Sequence, residues 1–371
     1  MLTSELGIRL ILWTGSTVPT PPKPGVMDAL TRVQITNDED GGDGFQLTFA
    51  LGHDGVADWD LLDGSLGPMT RVMIAVVLGV VPEVLIDGIV TQLAITPSND
   101  PGRSTLTVTG SDLTVKLDLE EKNAPYKNQP DFVIVGGLLM GYPQYGLVPA
   151  VTPTTDFPIE IQRIPRQHET DLQYIRRLAT GNGFVFYIEP ITFGVNKAYW
   201  GPVVRTGFPQ PALTMNMGSA TNVTSLSFSN DALAPVAASG GIVEPMTKMT
   251  IPIPALPPIR IPPLTPMPAP AYRKVLLRET ANENPAQAAL SSASAATQAP
   301  EAVSGQGQLE TVRYGAVLRA RRLVGVRGSG FSYDGLYYVK SVTHEITKGT
   351  YTQSFRLSRD GTGSLLPVLP T

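Results

Sequence analysis

The chain has 371 residues, of which 42% are hydrophobic and 16% are charged, and its formal net charge is −4. This length exceeds the roughly 250–300 residues at which a single hydrophobic core stops growing, so two or three domains are expected. The charged fraction lies below the roughly 25% usual for soluble domains, which favours a surface partly covered by other subunits. The net acidity gives no basis for tight duplex nucleic-acid binding, and the absence of cysteine excludes disulfides, thiolate metal sites and cysteine nucleophiles.

The chain shows no targeting or membrane-spanning segment. Residues 1–13 lack the basic start and long apolar core of a signal peptide. The apolar run over residues 72–86 is interrupted by Pro82 and Glu83, and it is shorter than the ~20 residues needed to cross a bilayer. We therefore expect a protein made in the cytoplasm, with no stable membrane insertion.

The first 116 residues predict an all-β, barrel-like domain. Leu106 and Val108 alternate with threonines, which is the period-two pattern of a strand with one buried face. Gly110 and Ser111 indicate a bulge or kink within this pattern. Turn-forming residues bound most of the predicted strands, which are residues 8–13, 30–36, 45–51, 71–78, 83–96 and 104–117.

Residues 117–213 predict a mixed α/β middle domain. Its clearest element is a helix over residues 171–180, which Thr170 can cap while Gln173 reaches back to complete a capping box. Leu172 and Ile175 lie on its apolar face, and Gly181 offers a left-handed stop. The apolar run over residues 184–188 predicts a buried strand that packs against this helix.

The last third of the chain divides into three parts. Residues 214–250 return to strand-like patterns. Within residues 251–307, nine of the twenty residues from 251 to 270 are proline, which predicts a polyproline II arm of about 60 Å; the Ala- and Ser-rich residues 282–298 predict a helix or a flexible connector. Residues 308–371 predict a second β-barrel-like domain. The expected fold class is therefore mainly β, with two related β-barrel-like domains and an α+β insert.

The two β-domains show signs of an internal duplication. Asp87-Gly88 and Asp334-Gly335 both predict tight turns that lead into strands, because both residue types tolerate positive φ. An aspartate then follows each partner strand: 25 residues separate Asp87 from Asp112, and 26 separate Asp334 from Asp360. We predict that residues 84–112 and 331–360 form equivalent hairpins in one ring; a coincidence of turn residues is the alternative.

The three histidines, His53, His168 and His344, fall in different predicted regions, and neither His168-Glu169 nor His344-Glu345 continues into a zinc-protease motif. We assign each of them a turn or surface role. No catalytic, cofactor-binding or metal-binding residue is predicted anywhere in the chain.

Two acidic loops resemble calcium sites only in composition. Residues 37–43 form the first, and Asp54, Asp58, Asp60 and Asp63-Gly64 form the second; neither has the ligand spacing of a calcium-binding hand, so solvated hairpin loops are predicted. The glycine-rich residues 325–330 precede a strand rather than a helix, which argues against a phosphate loop. Ser329 lacks the preceding glycine of a nucleophile elbow, since Arg327 occupies that place.

A hydrolase with paired carboxylates is the enzyme class hardest to exclude, because two acids can approach from anywhere in a fold. The scattered tryptophans, Trp13, Trp59 and Trp200, do not indicate a sugar-binding cleft. A basic cluster predicts one solvated or subunit-facing edge, with contact to DNA inside a tube as the alternative. Its members are Arg319, Arg321, Arg322 and Arg327.

Motifs spread along the chain resemble the late control gene D proteins of contractile phages, which are themselves similar to the hub part of the VgrG spike proteins of type VI secretion. Three segments carry the resemblance: Asp87 to Val90 with the strand that ends near Asp112; Tyr145 to Leu147 followed by residues 166–172, Arg177 to Ala179 and Gly183-Phe184; and residues 335–359. The proline-rich residues 251–270 depart from the family pattern.

The resemblance implies a non-enzymatic baseplate hub subunit of a contractile phage tail or a related injection system. Such a protein is a homotrimer whose six β-barrel domains join the hexameric tail tube to the central spike. Its partners are the tube protein, the spike protein and other baseplate subunits, with transient passage of DNA or cargo through the channel, and its location is the tail baseplate. The alternatives are a tail-associated glycan-binding or glycan-hydrolysing β-protein, and a module whose proline arm binds an aromatic groove.

Overall fold

The structure is a computed structural model that describes residues 7–51, 66–100, 103–161, 163–243, 250–256, 258, 260–277 and 285–365. The chain is mainly β, with one large curled sheet, four small sheets and five helices in these residues. The predicted fold class is therefore confirmed. His53, Trp59 and the second acidic loop lie outside the described residues. None of the described helices combines the length and apolar character needed to cross a membrane.

The first part of the chain forms six strands and one short helix. Its strands are β1 (Ile8–Gly15), β2 (Leu30–Asp38), β3 (Gly44–Leu51), β4 (Arg71–Leu78), β5 (Val81–Thr96) and β6 (Ser104–Asp112), and α1 is Pro24–Ala29. They pair antiparallel in the order β1-β4-β5-β6-β3-β2. The strand predicted over residues 104–117 ends early, because Asp112 caps a 3-10 helix at Leu113–Leu117. Its side chain accepts a hydrogen bond from the Thr114 backbone N–H.

The middle part combines two small sheets with two helices. Its elements are β7 (Glu121–Pro125), α2 (Asp131–Leu139), a 3-10 turn (Pro143–Tyr145), β8 (Leu147–Val151), β9 (Arg166–Thr170), α3 (Asp171–Asn182), β10 (Val185–Thr192) and β11 (Val195–Gly201). The sheets have the orders β10-β11-β8 and β7-β9. Trp200 is fully buried between the sheet and α3, and its indole N–H donates to the Ile175 carbonyl.

The predicted helix in this region is confirmed at its start. Thr170 is its N-cap, and the Thr170 hydroxyl accepts from the Gln173 backbone N–H at 3.3 Å. The helix runs two residues beyond the predicted end, because Gly183 rather than Gly181 adopts the left-handed conformation that terminates it. The next strand begins at Val185.

The last part of the chain contains eleven strands. They are β12 (Gln210–Thr214), β13 (Val223–Asn230), β14 (Val236–Val243), β15 (Thr250–Leu256), β16 (Met267–Pro268), β17 (Arg273–Leu276), β18 (Val303–Glu310), β19 (Leu323–Arg327), β20 (Gly335–Thr347), β21 (Thr350–Arg359) and β22 (Gly361–Thr362). A 3-10 turn (Gly218–Ala220) and the helices α4 (Pro285–Gln298) and α5 (Thr311–Tyr314) complete it.

Six of these strands repeat the topology of the first six. They lie in the order β12-β19-β20-β21-β18-β13, which is the order β1-β4-β5-β6-β3-β2 with each strand in the same sequential place. The long hairpins match in detail, since β5 bulges between Val90 and Gln92 against β6, and β20 bulges between Val339 and Ser341 against β21. The outermost pair differs: β1 and β4 are antiparallel, whereas β12 and β19 are parallel. We call these six-stranded units repeat 1 and repeat 2.

The Asp-Gly pairs that suggested the duplication do not occupy equivalent places. Asp334 and Gly335 lead from a turn into β20, as predicted. Asp87 and Gly88 instead lie inside β5, so the predicted turn there is wrong. Glycine is required at position 88 for packing, because an added Cβ would lie 2.9 Å from the Phe45 ring and closer still to the Ser111 carbonyl.

The proline-rich residues 251–270 do not form one extended arm, so that prediction is wrong. Their first part belongs to β15, an edge strand of the sheet β15-β14-β17. A proline cannot donate to a ladder, and an edge strand needs hydrogen bonds on one side only. Their last part forms β16, which pairs with β22 near the C-terminus. The Leu264 backbone N–H also donates to Asp360, and the segment therefore folds against repeat 2.

Candidate assembly interface

The two repeats meet at a seam between β2 and the second half of β20. These strands pair antiparallel over seven residues, from Arg32 opposite Thr347 to Asp38 opposite Ser341. The first half of β20 pairs with β19 of its own repeat, so one long strand belongs to both parts of the sheet. Apolar residues of both strands, such as Val33, Ile35 and Ile346, are fully buried behind it.

A buried ion pair joins the repeats beside this seam. Arg321 from repeat 2 contacts Asp43 from repeat 1 at 2.5 Å, and both side chains are about 4% exposed or less. Asp43 also accepts from the Asn37 side chain at 3.0 Å and from the Asp38 backbone N–H at 2.8 Å. The prediction of a solvated loop at residues 37–43 is therefore wrong for Asn37 and Asp43, which are buried; Asp43 links the repeats, and Asn37 supports it.

Asp112 lies close to this pair, and its carboxyl pKa is shifted strongly. Burial, together with the charge of Asp43, raises the pKa of Asp112 to about 7. One of its carboxylate oxygens accepts from Thr114, and the other has no hydrogen-bond partner in the described part of the chain. A raised carboxylate pKa means that the folded protein binds this proton more tightly than the unfolded chain does.

The predicted basic cluster is divided among three contacts rather than forming one edge. Arg319 pairs with Glu83 at 3.0 Å, Arg321 pairs with Asp43, and Arg322 contacts Glu189 of the middle part at 3.3 Å. Arg327 ends β19 and is half-buried. Three of these arginines therefore hold the parts of this chain together, and a common solvated edge or a common DNA contact is not what the structure forms.

His344 is fully buried in β20, opposite Ile35, so the predicted turn or surface role is wrong. Its Nδ1 lies 2.8 Å from the Tyr351 hydroxyl and 3.1 Å from the Gln353 amide nitrogen. Burial lowers the pKa of His344 to about 3. His168 is exposed on β9, in agreement with its predicted surface position.

A second buried polar cluster fixes the middle part to repeat 1. Arg71 forms a two-pronged ion pair with Asp87, at 2.8 and 2.6 Å. Asn196 of the middle part donates to the same carboxylate at 2.8 Å, and both Arg71 and Asn196 donate to the Tyr145 carbonyl. Asp87 is therefore a structural anchor, which explains a polar residue at this point in a buried strand.

Two strand edges of the large sheet remain open in the described residues. The outer edge of β13 has no strand partner, and the last residues of β5, from Thr91 to Thr96, have none on the edge opposite β6. Ile95 is 40% exposed, whereas its counterpart in repeat 2, His344, is fully buried. Phe228 on β13 is half-buried, whereas its counterpart in repeat 1, Ile35, is fully buried.

These open edges correspond to the two sides of the internal seam. In repeat 2 the second half of β20 is covered by β2, which is the last strand of repeat 1 in the sheet order. The second half of β5 is equivalent to the second half of β20, and β13 is equivalent to β2. Leu93, Ile95, Leu226 and Phe228 carry no sequence signal of an interface, because their alternation is that of any half-buried strand.

The described residues hold no catalytic arrangement that the sequence had suggested. Gly325 lies within β19, and the Ser329 backbone N–H donates to Asp334 at 2.7 Å, within the turn before β20. No group of three or more potential metal-ligating residues occurs among the described parts of the chain.

No known family model matches the sequence, and no curated protein matches it either. Solved structures do match the fold. A tail protein from Neisseria meningitidis MC58 is 16% identical, with a TM-score of 0.64 over 96% of this chain and 98% of its own. A 43 kDa tail protein of prophage MuSo2 from Shewanella oneidensis is 15% identical, with a TM-score of 0.63 over 96% and 99% of the two chains.

A third similar structure is a type VI secretion component from E. coli, 12% identical, with a TM-score of 0.56 over 91% of this chain and 77% of its own. That protein is described as structurally similar to the phage T4 tail proteins gp27 and gp5. At these identities the matches establish a shared fold. The chain has the fold of phage tail proteins and of VgrG-like secretion components.

Proposed function

We propose that this chain is a structural baseplate hub subunit of a contractile phage tail or a related injection system. Three copies form a ring that joins the hexameric tail tube to the central spike. The shared fold with tail proteins supports a tail role, and the motif resemblance to late control gene D proteins supports the hub. The division proposed from the sequence has hub domains at residues 1–116 and 308–371, a middle domain at 117–213, returning strands at 214–250, and a proline- and alanine-rich region at 251–307. Repeat 2 takes β12, β13 and most of β18 from outside residues 308–371, so we propose that these strands belong to the second hub domain.

The observation that carries the ring is the single internal seam with its two open counterparts. In the described residues, the second half of β5 in repeat 1 has a strand partner on one edge only, β6, and repeat 2 presents the free edge of β13. Joining β13 of one subunit to β5 of the next reproduces the contact that β2 and β20 make inside the chain. Because each subunit has two repeats, three subunits make a closed ring of six repeats, and six repeats match a six-fold tube.

The internal seam also supplies a register for this contact. Transferring the β2–β20 pairing through the equivalent strands places Phe228 opposite Ile95 of the neighbouring subunit, where Ile35 faces His344 in the internal seam. The same transfer places Ser229 opposite Ala94. The contact covers Ile95 and Phe228, whose exposure in a single subunit is otherwise a cost to solubility.

Cysteine cross-linking tests both the contact and its register, because the chain has no native cysteine. Ser229→Cys combined with Ala94→Cys places two thiols at the distance of directly opposed strand residues, about 4.5–5.5 Å between Cα atoms, which suits a disulfide. Mild oxidation is expected to yield covalent dimers and trimers in a denaturing gel. Ser229→Cys with Thr48→Cys is the matched control, since Thr48 lies on β3, two strands away from the open edge.

The hub role is tested separately by co-expression with tube and spike subunits of the same tail. We expect a trimer by light scattering and retention of both subunits on an affinity-tagged hub. A strictly monomeric protein that retains neither subunit, and that forms no more cross-links than the Thr48 control, contradicts the proposal.

A further inference from the structure

Ion pairs of a consistent polarity join the two repeats inside the chain. In the described residues five pairs cross from repeat 1 to repeat 2, and in four of them repeat 1 supplies the carboxylate. In the fifth, Arg32 of repeat 1 pairs with Glu345 of repeat 2 at 2.8 Å. The internal seam therefore joins a largely acidic edge to a largely basic edge. The four pairs are Asp38–Arg356 at 3.0 Å, Glu39–Lys340 at 2.8 Å, Asp43–Arg321 at 2.5 Å and Glu83–Arg319 at 3.0 Å.

The shared topology identifies the residue of repeat 2 that corresponds to each charge on the β2 side of the seam. The two strands bulge at the same place, immediately before Arg32 in β2 and immediately before Ser225 in β13. An Asn-Asp pair at the end of each strand leads into the same turn, in which the side chain of Asp38 or Asp231 accepts from the backbone N–H two residues later. On this alignment Arg32 corresponds to Ser225, Asp38 to Asp231, Glu39 to Ala232 and Asp43 to Val303.

The residues of repeat 1 that correspond to the charges on the β20 side are identified in the same way. Lys340 and Thr91 are the bulged residues of β20 and β5. The Arg321 backbone N–H donates to the carbonyl just before the bulge of β20, and the Met69 N–H does the same in β5. Both residues have a positive φ, of 63° and 65°. On this alignment Glu345 corresponds to Thr96, Arg356 to Thr109, Lys340 to Thr91 and Arg321 to Met69.

The two open edges lack nearly all of these charges. On the β5 side, three threonines and one methionine stand where the β20 side has three cations and one carboxylate. On the β13 side only Asp231 keeps a charge, and serine, alanine and valine occupy the other three positions. Joining β13 of one subunit to β5 of the next therefore brings two nearly uncharged edges together.

Exchanging the edges would leave charges without partners. If β2 of one copy paired with β5 of another, the buried Asp43 carboxylate would lie beside Met69 instead of a cation. Pairing β13 with β20 would place Arg321 beside Val303. A buried charge that loses its partner is strongly destabilising, because water cannot replace the lost interaction. The partly exposed charges at the seam add smaller penalties of the same sign.

We propose that these ion pairs select which strand edges join: they reserve β2 for β20 of the same chain, and they leave β13 and β5 as the edges that accept a second copy of the chain. The inference rests on the proposed function, because it concerns the same ring contact. Without such selection, copies that exchange β2 and β13 would assemble into mixed or open oligomers, since the two edges share one topology and one register.

A disulfide across the exchanged contact tests the selection. Thr36 faces Thr343 in the internal seam, and Ala94 is the counterpart of Thr343. Thr36→Cys with Ala94→Cys therefore places two thiols opposite each other when β2 of one copy pairs with β5 of another. Within one chain these strands lie three places apart in the sheet, beyond the reach of a disulfide. After refolding from urea and mild oxidation, mass spectrometry of tryptic peptides measures the fraction of this disulfide.

Removing carboxylates from the seam is expected to permit the exchange. Asp38→Asn, Glu39→Gln and Glu345→Gln together remove three ion pairs and keep the buried pair of Asp43 with Arg321. With all charges present, we expect the 36–94 disulfide to stay at the background of the two single-cysteine variants. In the charge-removed variant it is expected to rise at least about threefold, because three partly exposed pairs no longer oppose the exchange.

The matched control removes three carboxylates away from the seam. Asp156→Asn, Glu160→Gln and Glu169→Gln break ion pairs of 2.6 and 2.7 Å within the middle part, and we expect no rise in the 36–94 disulfide. An equal rise in this control would show that net charge alone is responsible, and would overturn the inference. No rise in a folded charge-removed variant, or an abundant 36–94 disulfide with all charges present, would also overturn it.

Thermal melting identifies a charge-removed variant that fails to fold. In that case Asp38→Asn with Glu345→Gln serves, with Asp156→Asn and Glu169→Gln as its control. The disulfide between Ser229→Cys and Ala94→Cys, measured on parallel samples, separates this inference from the ring. A protein that forms neither that disulfide nor a trimer contradicts the proposed function, while the comparison of the two charge variants still decides whether the ion pairs hold β2 on β20.

Discussion

At the scale of single residues, the polar groups inside the sheets connect strands and loops through buried hydrogen bonds. His344 is the clearest case. The Tyr351 hydroxyl and the Gln353 amide both approach its Nδ1 as donors, so this nitrogen is the acceptor of a neutral ring. Gln353 in turn accepts from the Leu318 backbone N–H and donates to the Leu318 carbonyl, which ties β21 to the segment before β19. Protonation of His344 would turn Nδ1 into a donor that faces the two donors from Tyr351 and Gln353.

His344 therefore predicts a loss of stability in mild acid. Its pKa is about 3 in the folded protein and about 6.5 when unfolded, so the unfolded chain binds the extra proton and stability falls as pH decreases from about 6.5 towards 3. At pH 5 the loss from this group is about 2 kcal/mol. His344→Gln cannot take up the proton, and its melting temperature is expected to fall less than that of the unmodified protein between pH 7.5 and pH 5.

His168→Gln is the control for this prediction, because His168 is exposed on β9. We expect its pH profile to follow that of the unmodified protein. Equal acid sensitivity in all three proteins would mean that His344 is not the group that titrates. Asp112 has the opposite effect on stability, because its raised pKa favours the folded state as pH falls through 7. The test is therefore the difference in melting temperature between variants at each pH, and not the pH profile of one protein.

At the scale of elements, local signals decided the helix and long-range packing decided the strands. Thr170 caps α3 through its own side chain, a contact that spans three residues of sequence. The proline-rich segment lacked any local pattern for pairing, yet it pairs with the preceding strand β14 and with β22, which is distant in sequence. Proline restricts what a segment can donate, and the rest of the fold decides which edge accepts it.

The Thr170 cap of α3 predicts a measurable contribution to stability. Thr170→Ala removes the acceptor for the Gln173 N–H and also the hydroxyl that donates to Asp118 at 2.5 Å. We expect a loss of about 1–2 kcal/mol in the free energy of unfolding, measured by urea denaturation. Thr180→Ala is the matched control, because the Thr180 hydroxyl only donates to the Arg176 carbonyl one turn earlier. A loss as large in Thr180→Ala would rule out capping as the cause.

At the scale of the whole molecule, one buried ion pair connects repeats whose residues are more than 270 positions apart. Arg321 and Asp43 are nearly inaccessible, and the Arg321 guanidinium also lies 4.2 Å from the centre of the Tyr187 ring in the middle part. This side chain therefore contacts all three parts of the subunit. Its removal leaves the Asp43 carboxylate buried without its cation.

We expect Arg321→Met to cost about 3–5 kcal/mol in urea unfolding, because an unpaired buried charge remains. Asp43→Asn added to Arg321→Met removes that charge and is expected to recover most of the loss. Arg322→Met is the control at the neighbouring position, where an exposed guanidinium pairs with Glu189, which keeps its second partner Lys197; we expect a loss of at most about 1 kcal/mol. Equal losses in Arg321→Met and Arg322→Met would contradict a special role for the buried pair.

Much of the fold could be predicted from local patterns. The period-two alternation of β6 and the capping residues of α3 act within a few positions of each other, and both elements occur where those patterns lie. The duplication could be suspected but not aligned. The Asp-Gly pairs share a residue type, whereas the repeats share a topology and a bulge, which no short motif encodes.

The candidate site could not be predicted in the same way. Arg319, Arg321 and Arg322 are neighbours in sequence and resembled one basic edge, but they pair with three separate carboxylates, two in repeat 1 and one in the middle part. His344 resembled a turn residue until the pairing of β20 with β2 buried it. Both errors arise because the partners of these side chains come from parts of the chain distant in sequence. The arginines also lie in and around a turn before β19, where Arg321 has a positive φ of 63°.

The sequence by itself determined that the protein is mainly β, that α3 begins at its capped threonine and that a mixed segment divides two strand-rich regions, since propensity, capping and periodicity act locally. Only the tertiary structure decided that the two regions share one strand order, that β2 covers the second half of β20 while one edge of β5 and one edge of β13 stay open in the described residues, and that Arg32 and Arg356 pair with Glu345 and Asp38. Strand pairing and register depend on contacts between distant residues, and a shift of one residue would turn every side chain to the other face.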